Sequence, residues 1–251
     1  MAEAGAIARR YFRQVEPEWK GHSNPVTVAD REIEQHFVRH IRAAYPEHGI
    51  LGEEYGAQDL DRTHIWAIDP IDGTRMYVEG LPSWSISLAL LEDRVPVFGM
   101  IHIPLYDDWI YTDGDDVICN GSSVKGRLAT RWDRDSYIFW RSDAPSIFDL
   151  RFKRLMTMGA TASHMAYTAR GASLATITHD SFVWDIAAGA ALIYHQGGEL
   201  RYHSGELLDF RKLDLMERVM GLYIAAHPDV TQRLIPLITR REAPYVHPDW
   251  E

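Results

Sequence analysis

The sequence predicts a mixed α/β sandwich. Three observations carry that prediction: an amphipathic helical stretch from Val28 to Ala44, alternating strands from Trp84 to Cys119, and interleaved helices and strands from Tyr137 onward. With 251 residues, 46% of them hydrophobic and 25% charged, the chain can bury a substantial core, and disordered or collagen-like structure is excluded. Length alone admits one large α/β domain or two small ones. No internal repeat, low-complexity linker or abrupt composition change divides the chain. The economical reading is one unit over 1–251, with an amino-terminal half over about 1–135 and a carboxy-terminal half over about 136–251 that share an interface.

In the first helix, Ile33, Phe37 and Ile41 follow a four-residue rhythm that puts them on one face. Thr27 and Asp30 stand before that face in capping-box spacing, although such boxes more often end in Glu or Gln. Pro46 and Gly49 stop the helix. Short strands are then expected at Ile50–Leu51, leading into Gly52-Glu53-Glu54, and at Ile65 to Ile68, leading into Asp69. From Trp84 to Leu90, and again from Val95 to Ile103, apolar residues alternate with a period of two, as in half-buried strands. Asp108 to Thr112 and Val117 to Cys119 flank an acidic hairpin turn at Asp113 to Asp116, which completes an antiparallel meander. The second half is expected to hold strands at Tyr137 to Trp140, Leu174 to Thr178 and Val219 to Ala226. Helices are expected at Phe148 to Met156, Ser163 to Arg170, Trp184 to His195 and Asp229 to Arg240. Gly197-Gly198 closes the third of these, because glycine readily takes the left-handed conformation that ends a helix.

Charge and composition narrow the function classes. Thirty-six acids against 26 bases give a formal charge of -10, which repels nucleic acid and anionic membrane surfaces. No run of about 18 apolar residues exists to span a bilayer. The start lacks the basic-then-apolar order of a secretory signal, and Glu3 and Glu16 argue against a transit peptide. The lone Cys119 cannot form an internal disulfide and reads as a small apolar core residue. A cytoplasmic protein without nucleic-acid or membrane partners is therefore expected. The 12 histidines include no His-Glu-x-x-His and no cluster of obvious ligand spacing, and the Trp residues at 132, 140 and 184 read as core or interface material.

Three acidic clusters remain: Gly52-Glu53-Glu54, Asp69-Pro70-Ile71-Asp72-Gly73-Thr74 and Trp184-Asp185. In the central one, a strand delivers Asp69 at its carboxyl end, where open α/β sheets usually place ligands. A turn fixed by Pro70 would let Asp69 and Asp72 converge with the Ile71 carbonyl, giving three hard oxygen ligands. Such donors suit magnesium or manganese rather than zinc, and the spacing is not that of an EF-hand. Gly73 permits close backbone approach, and Thr74 offers a hydroxyl and a backbone donor at a helical start. Each cluster also has a plain structural reading: an Asp-rich turn, a solvated glutamate pair, and an acid in the first turn of a helix. Their occurrence together in one chain shifts the balance toward function.

Glu53 and Asp69, sixteen residues apart, followed downstream by Trp-Asp-Ile-Ala-Ala-Gly from Trp184 to Gly189, resemble the inositol monophosphatase superfamily of magnesium-dependent, lithium-sensitive phosphatases. Asn24 to Asp30 is similar to its Pro-Val-Thr-x-x-Asp element and Gly197-Gly198 to its glycine pair, so the resemblance runs from about residue 20 to about residue 205. It implies a layered αβαβα sandwich of the inositol monophosphatase and fructose-1,6-bisphosphatase type, a cytoplasmic homodimer, and a small phosphate ester as substrate. It also implies two or three Mg2+ ions, with Mn2+ as a substitute. Glu53, Asp69 and the Ile71 carbonyl would hold the first ion, and Asp69, Asp72 and Asp185 the second. Gly73 and Thr74 would bind phosphate, Glu53 with Thr74 would activate water, and Asp30 would sit at the site edge near a third, weaker ion. Electrostatics agrees: a phosphate dianion among acids requires divalent cations to cancel charge and stabilise the transferring oxygens.

Asp72, Ala160, Thr178 and Asp185 are the implied substrate contacts. Inositol phosphatases of the family often carry Gly-Ser where this chain has Gly159-Ala160, and an acid seven residues before the metal-binding aspartate, where it has Thr178. Leaving-group discrimination is therefore expected to be loose. Arg75 reads as a solvent-exposed or structural arginine. Inositol monophosphate is the first substrate choice. Histidinol phosphate is the second, because Pro25 to Arg31 resembles bacterial histidinol phosphatases, and sugar bisphosphates and nucleotide 3'-phosphates also belong to the superfamily. The rival class is a catalytically silent metal- or phosphate-binding regulator, against which the retained ligands and Thr74 argue.

Overall fold

The computed structural model describes residues 1–20 and 24–242. Helix α1 (Ala2–Tyr11) leads into a two-stranded ribbon, β1 (Glu18–Lys20) and β2 (Asn24–Val26), and then into α2 (Val28–Ala44). A large sheet follows from β3 (Gly49–Gly52), β4 (Gly56–Gln58), β5 (His64–Asp72), β6 (Ser85–Glu92), β7 (Val95–Ile103), β8 (Asp108–Asp113), β9 (Asp116–Cys119) and β10 (Ser122–Ser123), with the short helix α3 (Thr74–Val78) after β5. Its order is β10-β9-β8-β7-β6-β5-β3-β4; β3 and β5 run parallel, and from β5 to β10 the sheet is the expected antiparallel meander.

A second sheet contains β11 (Ile138–Trp140), β13 (Leu155–Met156), β14 (Thr176–Ser181), β15 (Glu199–Tyr202) and β16 (Val219–Ala226), in the order β13-β11-β14-β16-β15. Helices α4 (Thr161–Ala169) and α5 (Val183–His195) lie between the two sheets and pack on both. Helices α1 and α2 cover the outer face of the large sheet through Ile33, Phe37, Ile50 and Ile68, and α6 (Pro228–Leu234) covers the outer face of the small one through Val230 and Leu234. The layering is αβαβα. Helix α5 is apolar nearly all round because both of its faces are covered.

Local signals behave as read at several points. Thr27 and Asp30 form a complete capping box on α2, and Gly197, at φ +77°, takes the left-handed turn after α5. Four corrections come from tertiary context. Phe148 to Met156 is not helical: β12 (Phe148–Leu150) pairs antiparallel with β17 (Ile238–Arg240), and β13 pairs with β11. The last helix stops at Leu234, since Pro236 offers no backbone donor, and the chain turns through a 3-10 segment into β17. Cys119 is half-buried rather than core.

The fourth correction shapes the site. Asp69 to Asp72 is not a turn but the continuation of β5. Asp69 pairs with Ser87 and Asp72 with Ser85, so three steps on β5 oppose two on β6. That is a β-bulge, a place where a strand tolerates Pro70's missing N–H. In a regular strand, residues three apart face opposite sides, whereas the extra residue turns both carboxylates to the same side.

Candidate active site

The bulged end of β5 opens into a cleft of about 360 Å3, lined by Glu53, Asp69, Ile71, Asp72, Gly73, Thr74, Ala160 and Asp185. Glu53 sits on the turn after β3. Glu34, fully buried on α2, holds that turn by accepting the backbone N–H groups of Glu54 (2.8 Å) and Tyr55 (2.9 Å). Gly52 is required there, because a Cβ would overlap the Glu34 carboxylate.

Asp69 is 2% exposed, and its Oδ1 has no hydrogen-bond partner. Burial, then the charges of Glu53, Asp72 and Asp185, push its carboxyl well above the usual range, and it shares a hydrogen bond with Glu53. Asp72 accepts from the N–H groups of Thr161 (3.2 Å) and Ala162 (2.6 Å) at the start of α4. Burial and the neighbouring Asp185 nevertheless raise it to about 7. Asp185 caps α5 by accepting from Phe182 N at 2.8 Å and also lines the cleft, so its structural and functional readings hold together. Burial raises it to about 6, opposed by Phe182 N and by the charges of Arg141 and Arg218.

Gly73, at φ +85°, is the cap of α3, and a Cβ there would lie 3.0 Å from that of Ala160. The Thr74 hydroxyl donates to the Ile71 carbonyl at 2.9 Å and lies 3.4 Å from Asp30 Oδ1. Asp30 is not at the rim. It is fully buried behind Thr74, with Oδ2 accepting from Thr27 N and Oγ1, and burial raises it to about 7. Thr178 is also outside the lining: it is 1% exposed, and its hydroxyl faces that of Ser181 at 3.3 Å. Arg75 lies at the cleft edge, exposed, 3.4 Å from Glu79.

A carboxylate oxygen buried without a donor, among three further acids, is costly unless a cation completes the set. The donors are all oxygen, which fits a hard divalent ion. Sequence reasoning missed Arg141, Arg218, Asp143, His164 and Phe182, which also line the cleft. All but Phe182, which caps the helix that carries Asp185, come from chain segments remote from the acidic motifs, and none carries a local signal. It also passed over His36 and His40, one helical turn apart on α2, whose tilted rings lie 4.2 Å apart beside Glu3 but are not part of the cleft lining.

Layered sheets with helices between them, and a carboxylate-lined cleft at a bulged strand end, define a class of metal-dependent phosphatases. The chain belongs to the inositol monophosphatase family, whose model matches residues 1–242. It is 31% identical over 192 residues to the fructose-1,6-bisphosphatase/inositol-1-monophosphatase of Thermotoga maritima, covering 74% of each chain. It is 29% identical over 212 residues to the Nus factor SuhB of Xylella fastidiosa, covering 78% of this chain and 76% of that one. Among solved structures, an IMPase/NADP phosphatase complexed with Mg2+ and phosphate superposes with a TM-score of 0.83 at 19% identity, over 98% of this chain and 94% of that one. The family acts on small phosphate esters and is generally metal-dependent, and the chain has the phosphatase fold of that family. Among the described residues, no helix is long and apolar enough to cross a membrane.

Proposed function

We propose that this protein is a Mg2+-dependent phosphomonoesterase acting on a small phosphate monoester, with inositol monophosphate as first candidate. The observation that carries the reading is the buried Asp69 oxygen without a partner in a cleft shared with Glu53, Asp72 and Asp185. In this reading Glu53, Asp69 and the Ile71 carbonyl hold one Mg2+, and Asp69, Asp72 and Asp185 hold a second. Bound there, the ions supply neutralisation of the phosphate dianion and of the charge that develops on the transferring phosphoryl group.

The chain's own groups do the rest. The Glu53 carboxylate takes a proton from the attacking water. The Thr74 hydroxyl, committed as donor to the Ile71 carbonyl, presents a lone pair that orients the water. Asp30, buried behind it with Oδ1 at 3.4 Å, steadies that hydroxyl. Gly73 and Thr74 bind phosphate through their backbone N–H groups. A single catalytic unit over 1–251, a cytoplasmic homodimer, lithium sensitivity and Mn2+ as substitute ion complete the proposal.

Two alternatives have specific support. Histidinol phosphate rests on the Pro25 to Arg31 stretch, and a regulatory role is raised by the relative named a Nus factor, a name that says nothing of catalysis. Phosphate release from a panel of monoesters, with and without Mg2+, tests the reading. Mg2+-dependent turnover supports it. No release from any ester would leave the regulator.

A further inference from the structure

The cleft that carries the acids is also lined by two arginines from the ends of the small sheet. Arg141 directly follows β11, and Arg218 directly precedes β16. Both are held in place. Arg141 pairs through Nε with Asp143 at 2.9 Å and donates to the His179 carbonyl at 2.5 Å. Arg218 donates to the Asp180 carbonyl at 2.7 Å, and its guanidinium lies 4.6 Å from the centre of the Phe182 ring, which stacks on Trp184. Beneath them, buried His179 joins the two mounts: Nε2 faces Asp143 at 3.2 Å and Nδ1 faces Asp180 at 3.1 Å. Asp180 is fixed in turn by accepting from Gly221 N at 2.8 Å.

Nothing in the water-activating and phosphate-binding groups uses this assembly. Among the described residues Arg218 pairs with no carboxylate, and its remaining donors are available at the cleft. Both arginines line the same cleft as Asp72, Thr74 and Asp185. At the two positions where the resemblance implied polyol contacts, none is offered, since Ala160 has no polar side-chain atom and Thr178 is buried away from the lining. A forked guanidinium matches the oxygens of a carboxylate or phosphate, and two on braced mounts lose little freedom on binding one.

Building on the phosphatase reading but replacing inositol monophosphate as first candidate, we propose that Arg141 and Arg218 form a second anion subsite, so that the preferred substrate is a phosphate monoester whose alcohol carries a further phosphate or carboxylate. An alcohol bearing an ammonium, such as histidinol, meets like charge there and is disfavoured.

The test compares two ester pairs in Mg2+ with the whole protein: fructose 1,6-bisphosphate against fructose 1-phosphate, and 2-phosphoglycerate against glycerol 2-phosphate. In the wild type the anionic member of at least one pair has a kcat/KM higher by about tenfold or more, the gain expected of charge-assisted hydrogen bonds. The pair that responds identifies phosphate or carboxylate as the second group. Arg218→Gln, at an exposed position, reduces that preference by about tenfold, chiefly through KM. Equal specificity constants within both pairs, or a preference untouched by Arg218→Gln, overturns the subsite. If no ester is hydrolysed, the phosphatase reading falls by itself. Calorimetric titration of fructose 1,6-bisphosphate and fructose 1-phosphate into both proteins then decides the subsite: tighter binding of the bisphosphate that Arg218→Gln removes supports it, and equal affinities refute it.

Discussion

At Asp69, one buried oxygen lacks any donor while Glu53, Asp72 and Asp185 add like charge around it. Such a position is maintained at a cost in stability that a bound cation relieves. Asp69→Asn is therefore expected to raise the melting temperature of the metal-free protein, by about 2–4 °C per kcal/mol of relieved repulsion, and to abolish the shift given by Mg2+. Near wild-type turnover of this variant at limiting Mg2+ would show that the shared-ligand assignment is wrong. The raised carboxyls also set a pH dependence. Asp72 at about 7 and Asp185 at about 6 lie above their unfolded values. Their contribution to metal-free stability is thus fully present below the ordinary carboxylate range and is lost as pH rises through about 6 to 7. Protons compete with Mg2+ over the same window, so the thermal shift on adding Mg2+ should grow between about pH 5 and pH 8. A flat profile would point to other ligands. Thr74→Ala keeps the backbone donor but removes the hydroxyl that meets Ile71 O, so kcat should fall by on the order of 10² while KM changes little. A loss confined to KM would assign Thr74 to binding. The acids and Thr74 were legible in sequence because each sits in a short motif of its own. Arg141 and Arg218 were not, because what makes them functional is their mounting on His179, Asp143 and Asp180.

The elements that could be read were those whose burial pattern is internal to the segment. The helix over Val28–Ala44 and the strands from Ser85 to Cys119 each show their buried face in their own periodicity. The stretch Phe148 to Met156 is not legible as strand because its pieces take distant partners: Phe148–Leu150 pairs with Ile238–Arg240 at the far end of the described chain, and Leu155–Met156 with β11. In β5, local chemistry misled in a different way. Pro70 signals a turn, but the adjoining β6 absorbs it as a bulge, and that bulge aligns Asp69 with Asp72. Packing between elements can be tested at Gly99 on β7, where a Cβ would collide with the Ala188 carbonyl on α5. Gly99→Ala should force the helix off the sheet and cost roughly 1–3 kcal/mol, read as a lower midpoint in urea unfolding. An unchanged midpoint would mean that the helix and sheet adjust freely at this contact.

Across the whole molecule, the cleft draws on both halves of the chain. Glu53, Asp69, Asp72 and Thr74 come from the amino-terminal half, and Ala160, Asp185, Arg141 and Arg218 from the carboxy-terminal half. The homodimer implied by the family resemblance belongs to this scale. Light scattering at micromolar concentration should give twice the chain mass, and a monomer would refute it. By itself the sequence determined the layered α/β class, the acidic motifs with their oxygen-donor chemistry, and the helix caps, since periodicity, residue type and short spacing are properties of contiguous chain. Tertiary structure alone decided that Asp30 lies buried behind Thr74, that Thr178 faces Ser181 rather than the cleft, and that two guanidiniums stand beside the acids. Burial and convergence are set by partners tens of residues away, and no local pattern encodes which distant partner a side chain will meet.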